Sequence, residues 1–181
     1  MSSENRMTSA PSPQGRRILI AVVTGVAGDL IQDWRLVHDA KEAMRLPPHA
    51  TLCYWAPDAR VEDIERQVSH AFSEPIEVRL GQVQQGDNDQ GTLFVEVIDQ
   101  EALNQGLERL YDGRYVLFPE KRETWRWHVT CVRDTRCREL DSLLRAARTL
   151  QLDQPWRFNT VALMELRGDQ YHVLARFFLG G

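Results

Sequence analysis

The order of predicted secondary-structure elements occurs twice along the chain, and this repeat constrains the fold more than any other feature. Each copy consists of a strand, a helix and a pair of strands. The predicted bounds are 49–55, 60–73, 75–83 and 92–98 in the first copy, and 125–133, 136–150, 156–166 and 171–179 in the second. His49 matches His128 at an offset of 79 residues. We therefore predict a bilobal α+β fold, with two pseudo-symmetric lobes of antiparallel-rich sheet that are backed by helices and face a central cleft.

The segments outside the repeat complete the predicted domain. Residues 16–24 are β-branched and apolar and predict a buried strand, while 27–45 and 100–111 carry apolar residues at helical spacing. Residues 1–15 are rich in Ser, Pro, Asn and Gly, so they cannot offset the entropy of ordering and predict a disordered tail. A length of 181 residues suits one domain or two small lobes that share a core. We expect residues 16–181 to form a single bilobal domain.

Charge and cysteine content limit the classes of function. The net charge of −4 at pH 7 does not fit a generally basic nucleic-acid coat. Residues 114–148 nevertheless carry 9 basic and 5 acidic side chains, which indicates either a solvated helix face or a basic wall for an anionic ligand. The longest apolar run, 18–23, is too short to span a bilayer, so we expect no membrane partner. The odd count of 3 cysteines gives no disulfide framework and fits a reducing cytoplasm.

Arg16-Arg17 before the apolar run is similar to a twin-arginine export signal. Gly25 and Gly28 interrupt that run and Asp29 follows directly, which favours a first buried strand instead.

Two short motifs of the form His-x-Thr carry the chemistry. They place four polar side chains in predicted strands, and these motif residues are His49, Thr51, His128 and Thr130. Residues i and i+2 of a strand share a face, so each histidine projects beside its threonine. If a pseudo-twofold axis relates the copies, the two faces meet in one cleft. A neutral imidazole and an imidazolium then serve as general base and general acid for displacement at phosphorus, while threonine hydroxyls bind the phosphate oxygens. This chemistry needs no metal and no cofactor. The expected base is His128 and the expected acid is His49, but a pseudo-symmetric pair can exchange these roles with the orientation of the substrate.

The motifs resemble those of the two-histidine phosphoesterase superfamily, which includes bacterial 2′-5′ RNA ligase-like proteins and plant-type cyclic phosphodiesterases. The resemblance runs from Arg16 to Leu179 and fits the first motif, 48–52, well. In the second motif Trp127 replaces a frequent proline and Cys131 replaces the usual leucine. The resemblance implies a bilobal α+β fold, catalytic roles for the four motif residues, and metal-free chemistry on RNA ends or cyclic nucleotides.

Three further residues are candidates for substrate binding. Arg126 precedes His128 by two positions, so it shares the front face and can pair with phosphate. Trp55 is predicted on the front of the first motif strand, and Tyr171 opens the last strand; both could stack a base. The alternatives are a solvated edge charge for Arg126 and packing between the lobes for Trp55.

Two rival sites are weaker. A zinc site built from His128, Cys131 and Cys137 lacks the paired Cys-x₂-Cys spacing, and Cys131 is predicted to face away from His128. Cys53 is predicted on the same face as Thr51 and is the one cysteine placed to act as a nucleophile.

We therefore expect a metal-independent phosphodiesterase that hydrolyses the 2′,3′-cyclic phosphate of nucleotides or RNA ends and, by resemblance, leaves a 2′-phosphate. Its partners would be a small nucleotide or an RNA end, with no obligate protein partner and a cytoplasmic location. One alternative is an enzyme that ligates or cleaves 2′-5′ RNA linkages. The other is a non-catalytic module that binds nucleotides or RNA ends.

Overall fold

The computed structural model describes residues 15–55, 58–86, 91–111, 116–117, 126–133 and 137–180. Residues 1–14 of the predicted tail lie outside these ranges. So do Asp89 and Gln90, in the segment between the predicted strands 75–83 and 92–98. Strands and helices alternate along most of the chain. Their bounds are β1 Arg17–Val22, α1 Gly25–His38, α2 Ala40–Arg45, β2 His49–Trp55, α3 Val61–Ala71, β3 Ile76–Gln85, β4 Leu93–Ile98, α4 Glu101–Tyr111, β5 Val116–Leu117, β6 His128–Val132, α5 Cys137–Ala147, β7 Pro155–Phe158, β8 Thr160–Arg167 and β9 Gln170–Phe178.

The nine strands form one sheet, and the two strands that carry the motifs lie at its centre. The strand order is β7-β3-β4-β6-β2-β1-β8-β9, with β5 paired to β2. Every pair of neighbouring strands is antiparallel. The predicted α+β class, with an antiparallel sheet and helices, is thus confirmed. We call β1, β2, β8 and β9 the first half-sheet, and β3, β4, β6 and β7 the second half-sheet; they meet where β2 pairs with β6.

Each half-sheet takes strands from both sequence copies, which refines the predicted arrangement of two lobes. β8 and β9 come from the second copy, yet β8 pairs with β1 beside the first motif strand. β3 and β4 come from the first copy, yet β4 pairs with β6, the second motif strand. The order strand–helix–motif strand occurs twice, as β1-α1-β2 with α2 inserted before β2, and as β4-α4-β6 with β5 inserted before β6. The two half-sheets therefore do not correspond to the two sequence copies, because each copy contributes strands to both. The domain extent of 16–181 stays a prediction.

Three predicted element boundaries need correction. The helix predicted over 27–45 is divided at Asp39, whose φ of −152° is not helical. The strand predicted over 156–166 is two strands separated by Asn159, with β7 pairing to β3 and β8 pairing to β1 and β9. The predicted strand 125–133 begins only at His128. The apolar run after Arg16 is strand β1, paired by β2 and β8. It lacks alternation because both of its faces are buried, Leu19 and Ala21 in the main core and Ile18 and Ile20 in a smaller cluster on the other face.

The main core lies between the back of the sheet and the helices. Among its largest completely buried side chains are Trp55, Trp127 and Phe72. The α3 and α4 helices pack together there, and the Phe72 ring occupies the space that a Cβ atom on Gly106 would need. Among the described residues, no helix is long and apolar enough to cross a membrane. The opposite, front face of the sheet carries the motif histidines and threonines.

Candidate active site

The four motif side chains lie on one face where the half-sheets meet. Ala50 of β2 pairs with Val129 of β6 in an antiparallel register, and both side chains are buried in the core. That register sets His49 across from Thr130 and Thr51 across from His128, at a cross-strand Cβ separation of about 5 Å. The structure thus brings the two motifs together as a square, with each histidine facing the threonine of the other motif.

Both imidazoles are held in the same way. Nδ1 of His49 lies 2.7 Å from the carbonyl oxygen of Pro47, and Nδ1 of His128 lies 2.8 Å from that of Arg126. A carbonyl oxygen only accepts hydrogen bonds, so each Nδ1 carries the proton. Nε2 is then the unprotonated nitrogen of each neutral ring. The two hydrogen bonds therefore select the tautomer that a general base requires.

A β-bulge follows the threonine in each motif strand. Between β1 and β2, Leu19 pairs with Cys53 but Ile20 pairs with Thr51, so Leu52 is an extra residue. The same irregularity makes Cys131 the extra residue of β6, where Thr130 and Val132 take successive partners on β4. A bulge reverses which face the following residues occupy. The motif strands share this device at equivalent positions.

The bulge overturns the predicted position of Trp55. Simple alternation placed Trp55 and Cys53 on the front face and Tyr54 on the back. In the structure Trp55 and Cys53 are completely buried in the core, and Tyr54 lies on the front, where it lines a pocket. Trp55 is therefore not available to stack a base, and its packing role is the correct interpretation.

The pocket beside the motifs encloses about 230 Å³ and is strongly basic. Its walls include His49, Thr51 and Thr130, together with four arginines and one carboxylate. The charged residues are Arg16, Arg35, Arg45, Arg133 and Glu42. His128 is exposed beside this pocket, and its ring contacts the Phe94 ring with a centroid distance of 5.3 Å. The arrangement favours an anionic ligand.

Desolvation and positive neighbours lower the pKa of both histidines. Burial lowers the pKa of His49 to about 4, and the charges of Arg35, Arg133 and His128 add to this, against the opposing hydrogen bond to Pro47. Burial also lowers the pKa of His128, with Arg133 adding to the effect and the hydrogen bond to Arg126 opposing it. A bound phosphate would counter the arginine charges and raise both pKa values.

The other two predicted binding residues differ in position. Tyr171 is half-buried and lines the pocket, and the Arg45 guanidinium lies 5.7 Å from its ring centroid. Burial, followed by the neighbouring Tyr54, raises the pKa of Tyr171. Arg126 is exposed and precedes β6, and its carbonyl oxygen orients His128. Its side chain is not among those that line this pocket, so a role for its guanidinium stays a prediction.

Several pocket residues escaped the sequence reasoning. Tyr54 and Arg133 are the third residues after Thr51 and Thr130, and each faces the pocket only because of its bulge. Their equivalent spacing is the signal that could have found them. Arg35 gave no such signal, because a single arginine in an amphipathic helix reads as a solvent-exposed residue. The structure instead buries it, with a hydrogen bond of 2.9 Å to the Glu42 carbonyl oxygen.

The cysteines of the rival sites lie on the core side of the motif strands. Cys53 and Cys131 are completely buried, and burial raises the pKa of Cys131 to about 12 and that of Cys53 further still. Both thiols are therefore protonated at neutral pH and neither shares a face with the histidines. The side chain of Cys137 lies outside the described residues. Among the described residues, no three His, Cys, Asp or Glu side chains cluster as metal ligands would.

Two strands with paired His-x-Thr motifs at the centre of an antiparallel sheet define the class of two-histidine phosphoesterases. The family model of the 2′-5′ RNA ligase superfamily matches residues 23–170. The chain therefore belongs to the 2′-5′ RNA ligase superfamily. No curated protein matches the chain.

Several solved structures share this fold. E. coli LigT complexed with ATP superposes with a TM-score of 0.58 at 16% identity, covering 93% of this chain and 100% of LigT. A structure described as a phosphoesterase gives 0.57 at 15% identity with the same coverage. E. coli LigT complexed with 3′-AMP gives 0.53 at 17% identity, again covering 93% and 100%. At these identities the likeness establishes the fold.

Proposed function

We propose that this protein is a metal-independent phosphodiesterase that hydrolyses the 2′,3′-cyclic phosphate of nucleotides or RNA ends and leaves a 2′-phosphate. The observation that carries the proposal is the square of motif residues, in which two histidines with the same Nδ1 anchoring each face a threonine across the β2–β6 pair. The basic pocket beside them fits an anionic substrate. The ATP and 3′-AMP in the LigT complexes support a small nucleotide as the ligand.

In the proposed reaction, Nε2 of one histidine accepts a proton from water, and the water oxygen forms a bond to phosphorus. The bond between phosphorus and the 3′ oxygen breaks as the other histidine donates a proton to that oxygen. Thr51 and Thr130 donate hydrogen bonds to the two non-bridging phosphate oxygens, where negative charge accumulates. After the reaction the base carries an added proton and the acid lacks one. The base then releases its proton to solvent and the acid takes one up, which restores the starting state.

The surroundings of the histidines favour an assignment of roles. His49 is half-buried and has its pKa lowered to about 4, which favours the neutral form that a base needs. His128 is exposed, so it exchanges protons with solvent, and a bound phosphate would counter the Arg133 charge that lowers its pKa. We therefore assign His49 as the base and His128 as the acid in hydrolysis, the reverse of the assignment made from the sequence.

The decisive experiment is turnover of the four nucleoside 2′,3′-cyclic monophosphates in the presence of EDTA. We expect wild-type activity without added metal, a 2′-phosphate product by phosphorus NMR, and a loss of about 10²- to 10⁴-fold in His49→Ala and in His128→Ala. His70→Ala, which changes an exposed histidine on α3, serves as the matched control. A kcat/KM that does not change between pH 5 and 9 would contradict two-histidine catalysis.

Ligation or cleavage of 2′-5′ RNA linkages is the second candidate function, and the family match favours it. It requires a surface that contacts several phosphates, so RNA affinity would fall steeply with salt. A shallow salt dependence would favour the small-nucleotide substrate. Binding without turnover across cyclic nucleotides, cyclic-phosphate RNA ends and 2′-5′ linked RNA would instead identify a non-catalytic binding module.

A cytoplasmic location belongs to the same proposal. Its support is that Cys53 and Cys131 are both free and buried, as a reducing compartment allows.

A further inference from the structure

The arginines of the pocket fall into two groups. Arg35 and Arg133 lie close enough to His49 to lower its pKa. The Arg133 backbone N–H donates to Oδ2 of Asp39 at 2.9 Å, which fixes the end of β6 against the α1–α2 junction. This first group therefore lies beside the motif residues, and Arg133 is also close enough to Tyr171 to act against the rise in its pKa.

Arg16 and Arg45 form the second group, on the side of the pocket formed by the first half-sheet and α2. Each guanidinium is paired with a tyrosine ring: Arg16 lies 5.6 Å from the Tyr54 centroid, and Arg45 lies 5.7 Å from the Tyr171 centroid. Arg45 is also held by hydrogen bonds to Glu42 and, at 2.6 Å, to the carbonyl oxygen of Asp169. The two arginines are thus held on the wall before any ligand binds.

Arg16 has an unused donor in this wall. Its Nε atom is buried and has no hydrogen-bond partner among the residues that the structure describes. The backbone around it is fixed, because the Leu166 N–H donates to the Arg16 carbonyl oxygen at 2.9 Å. A buried donor without a partner carries a free-energy cost, and Arg16 is not held in place by a hydrogen bond at Nε. The Arg16 side chain also lines the pocket, where an anionic ligand would meet its positive charge.

We propose that Arg16 and Arg45, with Tyr54 and Tyr171, form a second anion subsite that binds a phosphate on the 5′ oxygen of the nucleotide whose cyclic phosphate is hydrolysed. The proposal rests on the proposed function, because it takes the reacting phosphate to lie at the motif residues. A cyclic phosphodiester carries one negative charge, whereas the pocket offers four arginines and one carboxylate. The position left for a second phosphate on the same ribose is the 5′ oxygen.

Binding of unreactive product analogues tests the subsite without requiring turnover. The probes are 2′-AMP and adenosine 2′,5′-bisphosphate, titrated calorimetrically into the full chain. We expect the bisphosphate to bind wild type at least about 10-fold more tightly, since charge-assisted hydrogen bonds to a phosphate are worth that much or more. Arg16→Gln should remove most of this difference, and Arg16→Lys should retain more of it than Arg16→Gln.

The matched control is Arg157→Gln, which removes an exposed arginine from β7 at the far end of the strand order. It should keep the full difference between the two probes. Equal affinity of wild type for the two probes would overturn the second subsite even if cyclic nucleotides are hydrolysed. A bisphosphate preference that Arg16→Gln abolishes, without any hydrolysis, would keep the subsite and overturn the proposed reaction.

Substrate kinetics then separate the two sources of a 5′-linked phosphate. One arm compares a nucleoside 2′,3′-cyclic phosphate with and without a 5′-monophosphate, and the other uses a dinucleotide that ends in a cyclic phosphate. A higher kcat/KM with the 5′-monophosphate identifies a mononucleotide substrate, and a gain only with the dinucleotide identifies an RNA end. Both gains should shrink in Arg16→Gln, and no gain in either arm would overturn the proposal.

Discussion

The two half-sheets carry the same reactive groups in different surroundings. Both motif strands have a histidine anchored through Nδ1 and a bulge after the threonine. In the first half-sheet, however, His49 lies across from Val22, whereas in the second His128 lies across from Glu96. The two half-sheets thus share the anchored histidine and the bulge, and they differ in the residue that faces the histidine from the neighbouring strand.

The rest of the front face differs in the same way. The first half-sheet carries a small apolar cluster that includes Ile18, Ile20 and Met164, with tyrosines and arginines around it. The second carries Gln84 hydrogen-bonded to Glu96 at 2.7 Å, beside the exposed His128. A substrate that meets these faces has one favoured orientation. For the proposed reaction, the symmetric motifs supply the two imidazoles, and the asymmetric surroundings decide which of them acts as the base and which as the acid.

Removing both histidines gives the most severe test of the symmetric part. His49→Ala and His128→Ala should each lower kcat by about 10²- to 10⁴-fold, and the double variant should be little worse than the more damaging single variant. The reason is that base and acid act in the same displacement, so losing either one removes the concerted step. Multiplicative losses in single-turnover kinetics would show instead that the two histidines contribute independently to the transition state.

The bulge predicts opposite consequences for two neighbouring residues. Trp55→Ala should lower the free energy of unfolding by about 3–5 kcal/mol, because it empties a completely buried site in the core. Tyr54→Ala should change stability far less and raise KM, because that side chain lines the pocket. Urea unfolding and steady-state kinetics on both variants check the pair. A larger KM effect from Trp55→Ala than from Tyr54→Ala would contradict the reversed faces.

These residues also show where sequence reasoning succeeded and where it stopped. Period-2 alternation over His49, Ala50 and Thr51 is enough to place the motif side chains on one face. The faces that Cys53, Tyr54 and Trp55 occupy depend on the bulge at Leu52. No glycine or proline marks this bulge in the sequence. The pairings of β1 with β8 and of β4 with β6 could not be predicted either, because they join segments that are distant in sequence. The break at Asn159 carries no glycine or proline, so only the tertiary pairing of β7 and β8 reveals it.

The two threonines should be equivalent if they bind the two non-bridging oxygens of one phosphate. Thr51→Val and Thr130→Val should each reduce kcat/KM by about 10-fold, the worth of one hydrogen bond to a charged group. Thr51→Ser and Thr130→Ser keep the hydroxyl and should retain most of the activity. Unequal losses in the valine variants would sharpen the comparison, because they would assign the greater share of transition-state charge to one half of the site.

The last comparison concerns the dependence of folding on pH. Burial and positive neighbours lower the folded-state pKa of His49 to about 4, against an ordinary value of 6.5. Between these two values the unfolded chain binds a proton that the folded protein does not, so the free energy of unfolding should fall as the pH falls. His49→Gln removes the titrating group and should show a weaker fall between pH 7 and 4.5 in urea unfolding. His128→Gln should show the same direction, because burial and Arg133 also lower the pKa of His128.

Bound 2′-AMP supplies negative charge, so it should raise the pKa values of His49 and His128 in NMR titrations, and its binding should be accompanied by proton uptake. A folded-state pKa of His49 that stays near 6.5 in the free protein would remove the electrostatic distinction between base and acid.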